Sequence, residues 1–246
     1  MNPWMAIIAG LIGYLFGSIS SARLVTGRVA PGTNITHVEE PIPNSDQKFL
    51  IESISATNVR VQVGTRYGCL TAILDMLKVA LPTLALRLLF PDQPYYLIAA
   101  AMGVLGHDYP IYYNFKGGRG ESATYGGLLV IDPLGVVVTN IGGVILGWLT
   151  GQLLVFRWAG FILFIPWMWF TTHDPWHLAY ILFVNLIFWT SMRPELSQLF
   201  AYLKTGASPT QEEIDTFLGM GGKLGRFMDR NSLPGLIGRL RRKSTQ

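Results

Sequence analysis

The sequence predicts an all-α polytopic membrane protein. About seven transmembrane helices are expected, some short or broken, with cytoplasmic loops that carry the chemistry and a cytoplasmic C-terminal extension. Three observations predict this. Half of the 246 residues are hydrophobic, only 14% are charged, and the mean hydropathy is +0.36, whereas a soluble domain carries about a quarter charged residues. Uncharged runs of bilayer-spanning length recur along the chain. Lysines and arginines also concentrate in alternate connections between those runs. Together these exclude an ordinary soluble enzyme, a disordered chain and a disulfide scaffold. The single cysteine, Cys69, rules out an intrachain disulfide and a cysteine zinc cluster. It reads as a small buried hydrophobe.

The first run, Pro3–Ala22, has no charge and no basic segment before it, so a retained first span is expected rather than a cleaved signal peptide. Gly10, Gly13 and Gly17 share neighbouring helical positions and suggest close helix packing. Val25–Arg66 is polar and reads as a long functional loop, with turn chemistry at Pro41–Lys48. Tyr67–Phe90 is a second span that carries Asp75, Lys78 and Arg87. Asp75 and Lys78 are three residues apart, so they share a helix face and can pair. Ionisable groups at that depth need a partner or a polar cavity.

Tyr95–Gly106 and Ser122–Ile131 are shorter apolar runs, and Asp132-Pro133 breaks the second of them. Leu134–Phe156 is long enough to cross, with Arg157 marking the next boundary. Trp158–Phe170 and Trp176–Met192 follow, rich in interfacial aromatics. The crossings are expected near 3–24, 67–90, 95–106, 122–131, 134–156, 158–171 and 175–191. Six remain an alternative if 122–131 and 134–156 form one broken helix. His173 and His177 have the spacing of helical metal ligands, but Pro175 interrupts that turn and interface packing is the preferred reading.

Charge orients the chain. With the N-terminus outside, the inside segments 25–66, 107–121, the turn at Arg157 and the tail hold nearly every Lys and Arg. Arg87 near an outer end would snorkel. From Ser191 onward nine basic residues face five acidic ones, whereas residues 1–190 balance. This basic end suggests anionic lipid rather than nucleic acid. Ser208-Pro209-Thr210-Gln211-Glu212-Glu213 reads as a capped helix start. Gly219–Gly225 and Pro234-Gly235 read as interruptions, and Leu236–Arg242 as a basic amphipathic turn on the membrane. Residues 1–206 are therefore taken as the membrane domain and 207–246 as a basic extension.

The segment richest in chemistry runs from Gly106 to Glu121. Its glycines allow backbone N–H groups to converge on an anion. Lys116 and Arg119 add the charge a phosphate needs. The apolar run after Glu121 would start a helix whose N-terminus points at the same place. Gly106, His107, Pro110, Phe115, Lys116, Gly117, Gly118 and Gly120 match the G-H-x-F-P-V-F-x-x-F-K-G-G-K-G motif, with Tyr109, Tyr112 and Arg119 as related replacements. Gly17-Ser18-Ile19, Ala56-Thr57-Asn58-Val59 and Leu74-Asp75-Met76-Leu77-Lys78 match three further motifs in order. On these residues the chain resembles the bacterial membrane glycerol-3-phosphate acyltransferases that use acyl-phosphate (the PlsY family), over most of residues 5–206.

Two motifs depart. The family's G-S-G-N-x-G before A-T-N is replaced by Leu50-Ile51-Glu52-Ser53-Ile54-Ser55, after a loop about a dozen residues longer than usual. A serine is recovered only by shifting the alignment, as either Ser53 or Ser55. The family's H-R-E-N is replaced by Arg193-Pro194-Glu195-Leu196, which keeps only the glutamate.

The resemblance implies acyl transfer from acyl-phosphate to the 1-hydroxyl of glycerol 3-phosphate at the membrane, with no cofactor and no metal. It implies His107, Ser53 and Ser55 as catalytic candidates. Asn58, Arg60, Lys116, Gly117, Gly118, Arg119, Gly120, Asp75 and Lys78 are the substrate-binding candidates. Lys116 with the Gly117–Gly120 backbone would hold one phosphate and Arg60 the other. Asp75 and Lys78 are as well read as a buried pair shaping the site, and His107 as a structural hydrogen bonder. The alternatives are a catalytically degenerate membrane binding protein and a small anion or lipid transporter.

Overall fold

The computed structural model describes residues 1–41, 48–204, 209–218 and 222–243. Helix α1 (Pro3–Gly17) starts where Asn2 accepts the Trp4 N–H at 2.9 Å and Pro3 needs no N–H partner. After a three-residue break α2 (Ser21–Val29) continues the run, capped by Ser20. The strands β1 (Val38–Pro41) and β2 (Lys48–Ile51) pair antiparallel with Val38 opposite Ile51. Then come α3 (Ala56–Gln62), α4 (Thr65–Leu89) and α5 (Tyr95–Asp108). Beyond a 3₁₀ turn at Ile111–Tyr113 lie α6 (Glu121–Ile131), α7 (Pro133–Thr150), α8 (Leu153–Thr172) and α9 (Pro175–Ser191). The chain ends in α10 (Arg193–Lys204), α11 (Gln211–Phe217), α12 (Lys223–Asn231) and α13 (Leu233–Lys243).

The seven expected apolar segments correspond to α1, α4, α5, α6, α7, α8 and α9, with 3–24 also holding the start of α2 and 134–156 the start of α8. Among the described residues, four stretches are long and apolar enough to cross a bilayer: Pro3–Val29, α4, α7 and α8. The shorter α5, α6 and α9 pack between them. Side chains such as Leu88, Leu134, Phe170 and Leu186 project outward, as a lipid-facing surface requires. The interior holds Val79, Leu97, Val104, Leu128, Phe164 and Ile181.

Several expectations need correction. The segment 25–66 is not one polar loop. It holds the end of α2, the β pair and α3, so the fold is helical with one two-stranded ladder. The turn expected at Pro41–Lys48 falls mainly on 42–47, outside the described residues. Arg157 is not in a turn. Gly151, at φ +69°, ends α7, and α8 begins at Leu153, one turn before Arg157. Asp132 separates α6 from α7 and caps α7 through the Gly135 N–H at 2.8 Å. Arg87 does more than snorkel: it donates to the carbonyls of Val130 and Ile131 at the open C-terminus of α6. Pro234-Gly235 interrupts nothing, because Pro234 sits in the first turn of α13, where proline is tolerated. The expected helix start is present, and Thr210 and Glu213 form a reciprocal capping box on α11. The expected interruption at Gly219–Gly225 lies partly outside the described residues, with α12 beginning at Lys223.

Packing of α1 on α5 depends on absent side chains. A Cβ on Gly13 would overlap the Ala99 backbone, and one on Gly17 the Gly103 backbone. Gly17→Val should therefore cost about 1–3 kcal/mol or more through overpacking. Gly27→Ala in α2, where a Cβ meets nothing within 4 Å, should be neutral or slightly stabilising. Thermal unfolding of the purified protein in detergent checks both, and equal midpoints for the two variants would contradict this packing.

Candidate active site

Residues from α3, α4, α5, α6 and α8 converge at one end of the bundle around a cavity of about 260 Å³. Ser53, Ser55, Arg60, Asp75, His107 and Arg119 line its polar side. Gly120, Glu121 and Ser122 line it as well. Gly120 adopts φ +73° as the residue before α6, and no side chain caps that helix. The N–H groups of the first turn of α6 therefore open toward the cavity, which is a favourable setting for an anion.

The polar wall is built on α4. Asp75 is 2% exposed, and its Oδ1 lies 2.9 Å from Lys78 Nζ and 3.4 Å from His107 Nδ1. Lys78 Nζ also donates to the Ile19 carbonyl just past α1, at 2.7 Å. The anticipated Asp75–Lys78 pair thus ties α4 to the end of α1 and to α5. His107 presses its ring against Gly118, where a Cβ would overlap Nε2. The His107 carbonyl accepts the Gly118 N–H at 3.1 Å. Histidine and glycine loop are therefore held as one piece. Asp108, the last residue of α5, accepts a hydrogen bond from the Ser191 hydroxyl of α9.

A second strip crosses the site. The Ile54 N–H donates to the Gly117 carbonyl at 2.9 Å, laying residues 53–55 on the glycine loop. Ser53 and Ser55 face the cavity just described. Glu52 and Ile54 face a neighbouring cleft of about 550 Å³ that also holds Lys116, Arg23 and His37. Lys116 and Arg60, expected as two halves of one phosphate site, are therefore separated by this strip. Arg119 reaches both sides. Gly117 and Gly118 lie on the Lys116 side, whereas Gly120 lies on the Arg60 side.

Asn58 stands behind the wall. It is fully buried, and its Nδ2 donates to the carbonyls of Ile35 and Ser53 at 3.1 and 2.5 Å, with Ile51 at 3.5 Å. Its amide therefore holds the strip in place. Ser55 caps α3, its Oγ accepting the Asn58 N–H at 3.4 Å. Lys78, like Asn58, lines neither this cavity nor the neighbouring cleft.

Three arginines reach the cavity. Arg119 pairs with Glu195, with Nε at 2.8 Å from Oε1. Arg157 pairs with Glu121 at 2.8 Å. Among the described residues Arg60 makes no ion pair or hydrogen bond, and its Nε is buried without a partner. Burial pushes the Glu195 carboxyl above its ordinary value, while the Arg119 guanidinium pulls it back. The one glutamate retained from the third motif thus orients a cavity arginine.

Sequence reasoning missed Arg157 and Glu121 because the helix boundary was misread. It missed the apolar wall of Trp158, Met192, Phe217 and Leu218 because no local signal joins those positions. Cys69, expected to be buried, is exposed on α4 and lines the cavity. His177 bonds Asp174 and lies 3.0 Å from the Tyr96 hydroxyl, which is a packing role at the other end of the bundle.

Fold and site define an integral membrane protein with a cationic, partly apolar cavity at one end of a helical bundle. The sequence model of the glycerol-3-phosphate acyltransferase family matches residues 7–202, and the chain belongs to that family. The glycerol-3-phosphate acyltransferase of Legionella pneumophila (strain Corby) is 33% identical over 129 residues, which are 52% of this chain and 42% of that protein. That of Myxococcus xanthus (strain DK1622) is 38% identical over 125 residues, 50% of this chain and 58% of that protein. The chain thus spans about half the length of the curated relatives it matches. The crystal structure of PlsY (YgiH), an integral membrane glycerol 3-phosphate acyltransferase, in its glycerol 3-phosphate form shares the fold. The TM-score is 0.64 at 22% identity, covering 80% of this chain and 92% of that one. Its lysophosphatidic acid form gives 0.62 at 21% identity, with the same coverage.

Lys78→Met should destabilise the protein by about 3–5 kcal/mol, since it strands the buried Asp75 charge. Adding Asp75→Asn should recover part of that loss. Denaturation of the single and double variants in detergent checks this, and additive losses would rule out the coupling.

Proposed function

We propose that the chain transfers an acyl group from an acyl-phosphate to the 1-hydroxyl of sn-glycerol 3-phosphate, giving lysophosphatidate in phospholipid synthesis. The observation that carries this reading is the Arg60 guanidinium, without a partner among the described residues, in one cavity with the open N-terminus of α6 and the apolar side chains of Trp158, Met192, Phe217 and Leu218. One site thereby offers an anion cradle and a surface for a hydrocarbon chain. Family membership supports the same reaction.

In this reading Arg60 and the first turn of α6 hold the acyl-phosphate. Lys116 and Arg119 hold the phosphate of the acceptor across the Ser53–Ser55 strip. The acceptor hydroxyl oxygen attacks the acyl carbonyl carbon. The bond from that carbon to the phosphate oxygen breaks, and the electron pair leaves with inorganic phosphate, which takes the hydroxyl proton. The mixed anhydride is already activated, so positioning and charge stabilisation supply most of the acceleration. Ser53, whose backbone is fixed by Asn58, and Ser55, whose Oγ accepts both the Asn58 N–H and the Ser53 hydroxyl at 3.4 Å, are the hydroxyls offered to substrate. His107, locked between Asp75 and Gly118, positions the glycine loop. The basic residues near this end support an orientation with the N-terminus outside and the site and tail at the cytoplasmic face.

Purified protein in lipid, supplied with palmitoyl phosphate and glycerol 3-phosphate, should release phosphate and lysophosphatidate in equal amounts. Arg60→Ala and Lys116→Ala should each lower kcat/KM by about ten- to a hundred-fold, the worth of a charge-assisted hydrogen bond. Binding of either substrate without product from the unaltered protein would sink this reading and favour a degenerate binder.

A further inference from the structure

We infer that the C-terminal extension forms part of the substrate cavity, and that Phe217 and Leu218 on it set which acyl-chain lengths the site accepts. The inference deepens the proposed acyl transfer and rests on it for the identity of the chain. The family match ends at residue 202, so these two residues lie outside the matched segment.

The extension is seated firmly on the membrane body. The Gln211 side-chain carbonyl accepts the free Leu153 N–H at the start of α8, at 2.7 Å. The Trp148 indole of α7 donates to the Asn231 carbonyl at 2.8 Å. Asp215, fully buried, accepts the N–H groups of Leu224 and Gly225 at 3.0 and 3.2 Å, which locks α11 to α12. Ile214, Phe217 and Met228 join Trp158, Phe161 and Phe188 in one apolar cluster. The β pair braces it from the other side, with the Phe49 and Phe217 ring centroids 4.5 Å apart. Gln198 of α10 in turn holds both the N–H and the carbonyl of Leu50 on β2, at 3.0 and 2.9 Å.

This arrangement makes Phe217 and Leu218 a stiff wall rather than a loose flap. They share the cavity with Trp158 and Met192 and with the anion cradle of Arg60 and α6. A ligand with an anionic head and a hydrocarbon tail satisfies both ends. A rigid apolar wall discriminates by methylene count, since each methylene gained or lost in such a pocket is worth about ten-fold or more.

The native Cys69 gives a direct readout. It is the only cysteine in the chain, and it is exposed and lines the same cavity. The full chain in lipid is treated with a maleimide in the presence of alkyl phosphates from hexyl to octadecyl, and Cys69 labelling is followed. Acyl transfer is measured beside it with the matching acyl phosphates. Phe217→Ala and Leu218→Ala should move the best-protecting and best-transferred chain toward longer homologues. The ratio between the longest and the wild-type optimum should change by about ten-fold. Phe217→Trp should move it toward shorter ones. Phe227→Ala, on the exposed face of α12, should keep the wild-type profile. Phe217→Leu serves where the alanine variant does not fold. Wild-type chain-length profiles in folded variants would overturn the inference, even with acyl transfer intact. No transfer by the unaltered protein, with protection still shifting in the variants, would overturn the reaction and leave the wall standing.

Discussion

The carboxylate of Asp75 is the point on which the site is assembled. A lone charge at this depth is costly, and the chain meets that cost with Lys78 and His107 together. Each partner brings another element with it. Lys78 reaches the carbonyl of Ile19 beyond α1. His107 brings the end of α5 and, through its carbonyl and ring, the Gly118 turn. The glycine loop then anchors residues 53–55, because Gly117 accepts the Ile54 N–H. Removing the buried charge would loosen the four segments that meet at it.

The second constraint is apolar, and of its parts the C-terminal helices α11 and α12 lie outside the family match. The β pair and the C-terminal helices cannot bury themselves separately, since each is too small to enclose a core. They bury one another through Phe49 and Phe217, and both rest on Trp158 and Phe188. The cavity is thus polar where α4, α5 and α6 meet and apolar where the extension meets α8 and α9. An amphipathic substrate fits this division, as either half alone would leave part of the wall unmatched.

Much of the membrane body was legible in the sequence. Runs such as Pro3–Ala22 and Leu134–Phe156 announce themselves by length and lack of charge, and Asp132-Pro133 by its helix-breaking chemistry. The Asp75–Lys78 pair follows from helical spacing, and the Thr210 cap from its box with Glu213. The misreadings share a cause. Arg157 looked like a boundary because a charge usually ends a span. In the fold it begins one, paired with Glu121 from a helix 36 residues earlier. Cys69 looked buried because cysteines usually are, but its helix face opens onto the cavity.

Local pattern and motif by themselves determined the helical membrane architecture, the family, and the segments that carry the chemistry, because hydrophobic run length and glycine spacing are short-range properties. Only the tertiary structure decided which of those segments share a cavity. It separated Lys116 from Arg60 by laying residues 53–55 between them, turned Asn58 into a support behind the wall, and left Arg60 without an ion pair or hydrogen bond among the described residues. It also brought Phe217 and Leu218 to the site from the far end of the chain. Such meetings depend on long-range packing and hydrogen bonds, which leave no periodic trace along the chain.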